Sequence, residues 1–469
     1  MTCCDQKCGL IAGTVVGALI ALLGGILIPV GDLIIGDTVK KEAVLENGTL
    51  AFDTWTSVDT AVWRQFWLFD VQNPDDVVNK GAKPVLVQKG PYTYKTRYIP
   101  KKDITFYDNN TVSFLLPAGA IFDPSMSVGP EEDIITTLNL AVAGLYSAIP
   151  HGLANMFINK SNSTLFQNRT VKELLWGYKD PMLNSMLGLF YDYNNTVDGP
   201  YTVFTGKDDI NKVATIERWK YNTSLSYWND SYCNMINGTD GSSFSPKLDK
   251  KKPLYFFSPD ICRSISAVYE GTVDLKGIDV YRYTLPSEAL ESPASNPDNH
   301  CYCTETKVSK NCTLAGVLDL TPCQGYPVYL SLPHFLYGSP DLLEGLEGLN
   351  PNPDEHSIIL DVEPITGFTL RFAKRLQLNM LYGPSKEIVI LNKIKKLTIF
   401  PLMWVNETGT LDDETAEMFK GELISKLDLL KWIQIGLLVA GSVIFVACLI
   451  GTIVVSCNKK SKKKTGLRG

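Results

Sequence analysis

The chain has 469 residues, a formal net charge of −6 and a mean hydropathy of +0.01. That length suits one large domain or two to three ordinary ones, and the hydropathy is high for a soluble protein. The acidic balance gives no electrostatic footprint for nucleic acid, and none is expected as a partner.

Residues 1–8 carry Cys3, Cys4 and Cys8 ahead of GLIAGTVVGALIALLGGILIPV at 9–30. This uncharged run is long enough for a hydrocarbon core that needs about 20 helical residues. It exceeds the usual signal-peptide core of about 7 to 15 residues and lacks a clear A-x-A exit, so an uncleaved transmembrane helix is expected rather than a removed leader. Further on, PYTYKTRY alternates with Tyr92, Tyr94 and Tyr98 on one face and predicts a strand. In the segment that follows, Lys101 and Lys102 face only Asp103 and Asp108.

Helical signals come next. Pro130 and the acids 131–133 open an apolar-periodic run to Ile149, with negative charge at the positive helix end. Pro150 separates it from HGLANMFINK, a short amphipathic helix with Leu153, Met156 and Phe157 on one side. Thr170 and Glu173 form a capping box, so a helix should start at Thr170. IDVYRYTLP and PVYLSLP read as strands. In GFTLRFAKRLQLNMLY the even positions from Phe368 to Tyr382 are apolar except Lys374, which predicts one long half-buried strand. Alternation of this kind implies antiparallel sheet with one covered and one wet face. LDDETAEMFKGELISKLDLLKW looks helical and leads toward a second apolar run at 433–456. The tail 457–469 has six basic residues and no acid, which places it in the cytoplasm. With no internal repeat or low-complexity linker, one continuous α+β domain is expected between the spans.

Residues 31–432 then lie outside the cell or in an equivalent lumen. Eleven Asn-x-Ser/Thr sequons fall there, at Asn47, Asn109, Asn159, Asn162, Asn168, Asn194, Asn222, Asn229, Asn237, Asn311 and Asn406; chance would give roughly three or four. Six cysteines share the segment: Cys233, Cys262, Cys301, Cys303, Cys312 and Cys323. They suggest three disulfides, with about 15 pairings open. Cys3, Cys4, Cys8 and Cys457 flank the spans on the cytoplasmic side and are candidates for S-palmitoylation. Cys448 lies mid-span as a small apolar residue.

Chemistry-bearing motifs are scarce. The four histidines, His151, His300, His334 and His356, have no companions at metal or catalytic spacing, and no metalloprotease, phosphate-loop, nucleophile-elbow or dinucleotide fingerprint occurs. An enzyme, a metal and a cofactor are therefore not expected. Two-span ectoenzymes and two-span ligand-gated channels share the topology and stand as alternatives. The former lack their phosphate-gripping loops here, and for a channel the spans offer only glycine, Thr14, Ser442 and Thr452.

Several stretches carry a resemblance. The N-terminal MTCCDQKCGLIAG, RQFWLFDVQNP, KGPYTY, NTVSFLLPAGAIFDPS, ELLWGY, NPDNHCYCTE, SLPHFLY and DVEPITGFTLRFAKRLQLN are similar, in order, to the class B scavenger receptors. The fatty acid translocase branch fits best, since the tail has neither the acidic dileucine signal of the lysosomal branch nor the longer tail of the high-density lipoprotein receptors. The resemblance implies a central antiparallel β-barrel, an apical helical bundle and a lipid-conducting cavity in a glycosylated ectodomain between two transmembrane helices. It implies pairing of Cys233 with Cys301, Cys262 with Cys323 and Cys303 with Cys312, and palmitate on Cys3 or Cys4, Cys8 and Cys457. Lys160, in the same INKS context, corresponds to an apical lysine implicated in binding fatty acids and oxidised lipoprotein. The function implied is a cell-surface scavenger receptor and fatty acid translocase. Its ligands would be long-chain fatty acids and oxidised or native lipoproteins. Further partners implied are thrombospondin, Src-family kinases and toll-like receptors. The chain would reside in plasma-membrane rafts, with Golgi and endosomes in transit.

Overall fold

The computed structural model describes residues 2–56, 61–303, 312–421 and 425–465, without side chains for 2–6, 426 and 459–465. The sequon at Asn311, the side chains of Cys3 and Cys4, and the helix expected through 422–424 lie outside the described residues. The chain divides into two compact units: residues 1–42, 276–278 and 413–469 form one, and residues 43–275 and 279–412 the other.

The first unit is built on two long helices, Thr2–Ala43 and Ser425–Thr465. Each is long and apolar enough to cross a membrane, and their apolar side chains are largely unburied. Glycine lets the two approach at backbone distance. A Cβ on Gly17 would come within 2.4 Å of the Phe445 nitrogen, one on Gly24 within 2.6 Å of the Leu438 nitrogen, and one on Gly441 within 2.2 Å of the Ala21 nitrogen. Without a hydrophobic drive between helices in lipid, close packing of this kind holds them together. Gln434, missed among the polar groups of the spans, adds a bond from its side-chain amide to the Leu27 carbonyl at 2.8 Å.

The second unit is mixed α and β, around an 11-stranded sheet. Its centre is the long strand Thr369–Tyr382, antiparallel to Thr398–Thr410, which in turn pairs antiparallel with Val62–Val71 and then Leu86–Arg97. The sheet is open. Its path runs from Leu254–Ser258 at one end to Ile121–Asp123 at the other, so the closed barrel implied by the resemblance is corrected. These end strands of five and three residues offer few ladder bonds for closure. A second sheet orders Ile216–Trp219, Thr196–Phe204, Thr111–Ala118 and Lys102–Tyr107. Phe66, Phe69, Tyr92, Tyr94, Tyr283 and Phe400 are among the largest fully buried side chains of the core.

Two sequence expectations change here. The helix expected from Pro130 begins only at Leu140, where the Asn139 side chain accepts from the Ala141 and Val142 amides as N-cap. The β-branched residues before it form the strand Ile134–Leu138, paired with Phe166–Thr170. Glu131 and Asp133 serve the sheet instead, accepting from the Tyr94 and Tyr92 hydroxyls. Second, the long strand has no wet face in its C-terminal half. Gln377 and Asn379 are fully buried and bond to Ser331 and the Tyr329 carbonyl. Tyr329–Ser331 pairs with the strand here, so the polar groups meet protein partners.

Candidate functional site

The helix His151–Ser161 follows Pro150, whose fixed backbone suits a helix start, and ends where Asn162 turns into the left-handed region at φ 51°. His151, Ala154, Asn155 and Ile158 recur at helical spacing and form its inner side. Ala154 and Ile158 are fully buried, the His151 ring stacks on Tyr146 with centroids 4.7 Å apart, and His151 Nδ1 lies 3.0 Å from the Ser385 hydroxyl. The Asn155 side chain accepts from the Val389 amide. The inner side thus combines the small Ala154 and the apolar Ile158 with the polar His151 and Asn155.

The opposite side is apolar and exposed. Leu153, Met156 and Phe157 are 43, 57 and 38% accessible, and Lys160, one turn beyond Met156 and Phe157, is exposed beside them. Positions 153, 156, 157 and 160 share one helical face. The sequence pattern located this apolar stripe, and the structure turns it outward rather than onto the core. Two sequons adjoin it along the chain, at Asn159 within the helix and Asn162 at its end, and both are exposed, as is Asn168 on the strand Phe166–Thr170. Asn47, Asn109, Asn222, Asn229 and Asn237 are also exposed, whereas Asn194 and Asn406 are half-buried. The capping box forms as expected: the Thr170 hydroxyl accepts from the Glu173 amide, and the Glu173 carboxylate accepts from the Thr170 amide.

Within the main sheet, register builds a buried charge ladder. Glu407 stands directly opposite Arg64 on one side and Lys374 on the other. Arg64 Nε donates to Glu407 at 2.5 Å; Lys374 lies 3.5 Å and Arg97 3.4 Å from the same carboxylate. Burial alone would raise the Glu407 carboxyl, but these three cations outweigh it and hold it well below the usual range. Lys374, the break in the apolar alternation, is therefore placed by its cross-strand partner.

The structure also gives two histidines a companion that spacing did not reveal. His334 and His356 stack with ring centroids 4.5 Å apart, both buried. Each Nδ1 accepts a backbone amide, from Asn350 and Asn352 respectively, and His334 Nε2 donates to Gln88, which also receives the Trp404 indole N–H. The Nδ1 atoms are thereby occupied, so this pair is no open metal site. Burial, with His356 adjacent, lowers the His334 pKa to about 4; burial lowers that of His356 as well. Asp230, His300 and Cys301 approach one another, but the Cys301 sulfur is bonded to Cys233.

The disulfides join Cys233 to Cys301, Cys262 to Cys323 and Cys303 to Cys312, the connectivity implied by the resemblance. Near them, the buried Arg263 guanidinium rests on the Tyr302 ring at 3.7 Å and donates to Ala289 and Asn299. It lines a cavity of about 60 Å³, far too small for an acyl chain. Cys8 and Cys457 are free and exposed, and Cys448 is partly buried. Lys101 is turned inward among aromatic rings, which leaves Lys102 as the exposed lysine of that pair.

Comparison with known proteins adds a family to this geometry. Residues 15–452 match the family described as "CD36 family". Scavenger receptor class B member 1 of Cricetulus griseus is 33% identical over 461 residues, covering 93% of this chain and 88% of its own. Lysosome membrane protein 2 of Homo sapiens is 36% identical over 411 residues, covering 84% of each chain, and that of Rattus norvegicus is 35% identical over 410. A match over nearly the whole chain, together with relatives of this identity, makes the chain a member of the CD36 family.

Proposed function

We propose that this chain is a cell-surface scavenger receptor that captures long-chain fatty acids and oxidised or native lipoproteins and facilitates lipid uptake without performing chemistry on them. The observation that carries this reading is the outward face of His151–Ser161, where Leu153, Met156 and Phe157 stand in solvent beside Lys160. A face of this composition fits a surface that is apolar and anionic together. Glycans on the bordering sequons would leave the stripe itself free.

Magnitudes divide the labour. Burying about 16 methylenes at about 0.8 kcal/mol each gives a gross term near 13 kcal/mol before the costs of association. One exposed lysine contributes about 0 to 1 kcal/mol. Apolar contact supplies affinity, and Lys160 selects acidic ligands. Onward passage through the ectodomain interior, both termini in the cytoplasm, and palmitate on Cys3 or Cys4, Cys8 and Cys457 belong to the same proposal.

Lys160→Ala tests it. At equal surface expression the variant is expected to take up oxidised low-density lipoprotein and labelled fatty acid up to about fivefold less, the equivalent of about 1 kcal/mol. Unchanged uptake would remove Lys160 from the site.

A further inference from the structure

Lys101 stands in an unusual setting for a lysine. Its Nζ lies 4.7 Å from the centre of the Trp55 ring and 5.3 Å from that of Phe114, and donates to the Trp55 carbonyl at 2.6 Å. Among the described residues no carboxylate forms an ion pair with it. The rings continue outward: Phe52 packs against Trp55 with centroids 5.9 Å apart and against Phe106 at 5.6 Å. Trp55 is buried, Phe52 half-buried and Phe106 exposed, so the ring cluster extends from the amine to the surface, and Lys101 itself is half-buried. Lys102, the adjacent residue, is exposed at the start of the edge strand Lys102–Tyr107.

We propose that Lys101 is a covalent capture site for α,β-unsaturated aldehydes of the kind released when lipids are peroxidised. The exposed Phe106 ring and the half-buried Phe52 beside it offer apolar contact to the hydrocarbon tail of such an aldehyde, and the Lys101 amine is the nucleophile. In the step itself the nitrogen lone pair attacks the β-carbon and a new N–C bond forms. The π pair moves to the α-carbon, which takes the proton lost from nitrogen. Nothing leaves, and no oxidant or reductant is required.

The setting of Lys101 favours the neutral amine that this reaction needs. Burial lowers the Lys101 pKa to about 8; Asp240 opposes this and Arg97 reinforces it. Near pH 7.4 about a fifth of the amine is then neutral, against about one part in a thousand for an ordinary lysine. Attraction to the ring faces returns part of the burial cost to the charged form. The inference rests on the lipid-receptor reading only for the source of the aldehyde.

The test exposes the full chain in nanodiscs to trans-2-nonenal near pH 7.4, reduces the adducts with borohydride and quantifies each lysine by tandem mass spectrometry. Lys101 is expected to react at least about tenfold faster than Lys102, after allowance for the lower nucleophilicity of a weaker base. Unfolding in urea should abolish the preference, and Lys101→Arg should remove that adduct alone. Reaction at Lys102 as fast as at Lys101, or a preference that survives unfolding, would overturn the proposal. Lipoprotein binding by Lys101→Arg, measured in parallel, reports on the receptor reading separately.

Discussion

Charge inside the main sheet is tolerated because partners arrive by register. Isolated in the core, Glu407 would lose its hydration at a cost of several kcal/mol; flanked by Arg64 and Lys374 across two strand pairs, it stays ionised. At the histidine pair burial outweighs the nearby charge: Glu355 raises the His356 pKa, but burial and Arg375 lower it. Both rings are therefore neutral in the fold, whereas an unfolded histidine takes a proton below about pH 6.5. The unfolded chain then binds more protons, so the stability the His334 ring contributes is present above about pH 6.5 and is lost as pH falls toward 4, and His356 acts in the same direction. Thermal unfolding from pH 7 to about 5 should show a falling midpoint. His334→Asn should flatten part of that slope, because asparagine tolerates the left-handed backbone at φ 54° but carries no proton. An identical slope in the variant would show that other groups titrate there. Neither feature was legible from single positions. Lys374 read as a fault in an alternating pattern, and His334 and His356 lie 22 positions apart in the sequence, brought together only by tertiary folding.

At the scale of elements, local signals survived and non-local ones did not. The capping box at Thr170 and Glu173 needs only one helical turn, and it stands as read. The strand Ile134–Leu138 needs Phe166–Thr170, more than 25 residues on, and its short apolar run could not be told from a helix without that partner. The His151–Ser161 helix was legible in extent and in its stripe. Which side faces the core was decided by the hydrogen-bonded His151, the small Ala154 and the apolar Ile158, which fit the interior. For the two long helices the decisive feature is glycine at the contact. A Cβ at Gly13 would lie 2.5 Å from the Cys448 sulfur. Gly13→Cys in membranes treated with a mild oxidant is therefore expected to form an intrachain disulfide with Cys448, seen as a linked peptide by mass spectrometry. Linkage of Gly13→Cys only to Cys8 or Cys457 would contradict the packing of this pair.

For the whole molecule, composition alone marked the two membrane-length helices, and the sequons and cysteines marked the segment between them. Spacing left about 15 disulfide pairings open, and only the resemblance narrowed them to the three bonds present. The openness of the sheet was not legible, because strand order depends on which edges meet. The central functional claim concerns one exposed face. Its apolar residues add little to stability where they stand, so replacing them separates binding from folding. The most direct measurement is the dissociation constant for oxidised low-density lipoprotein on the full chain in nanodiscs, wild type against Leu153→Ser, Met156→Ser and Phe157→Ser combined. The account predicts at least about tenfold weaker binding, the equivalent of about 1.4 kcal/mol, with the unfolding midpoint unchanged. Full-strength binding by the folded triple variant would contradict it and place lipid capture elsewhere on the molecule.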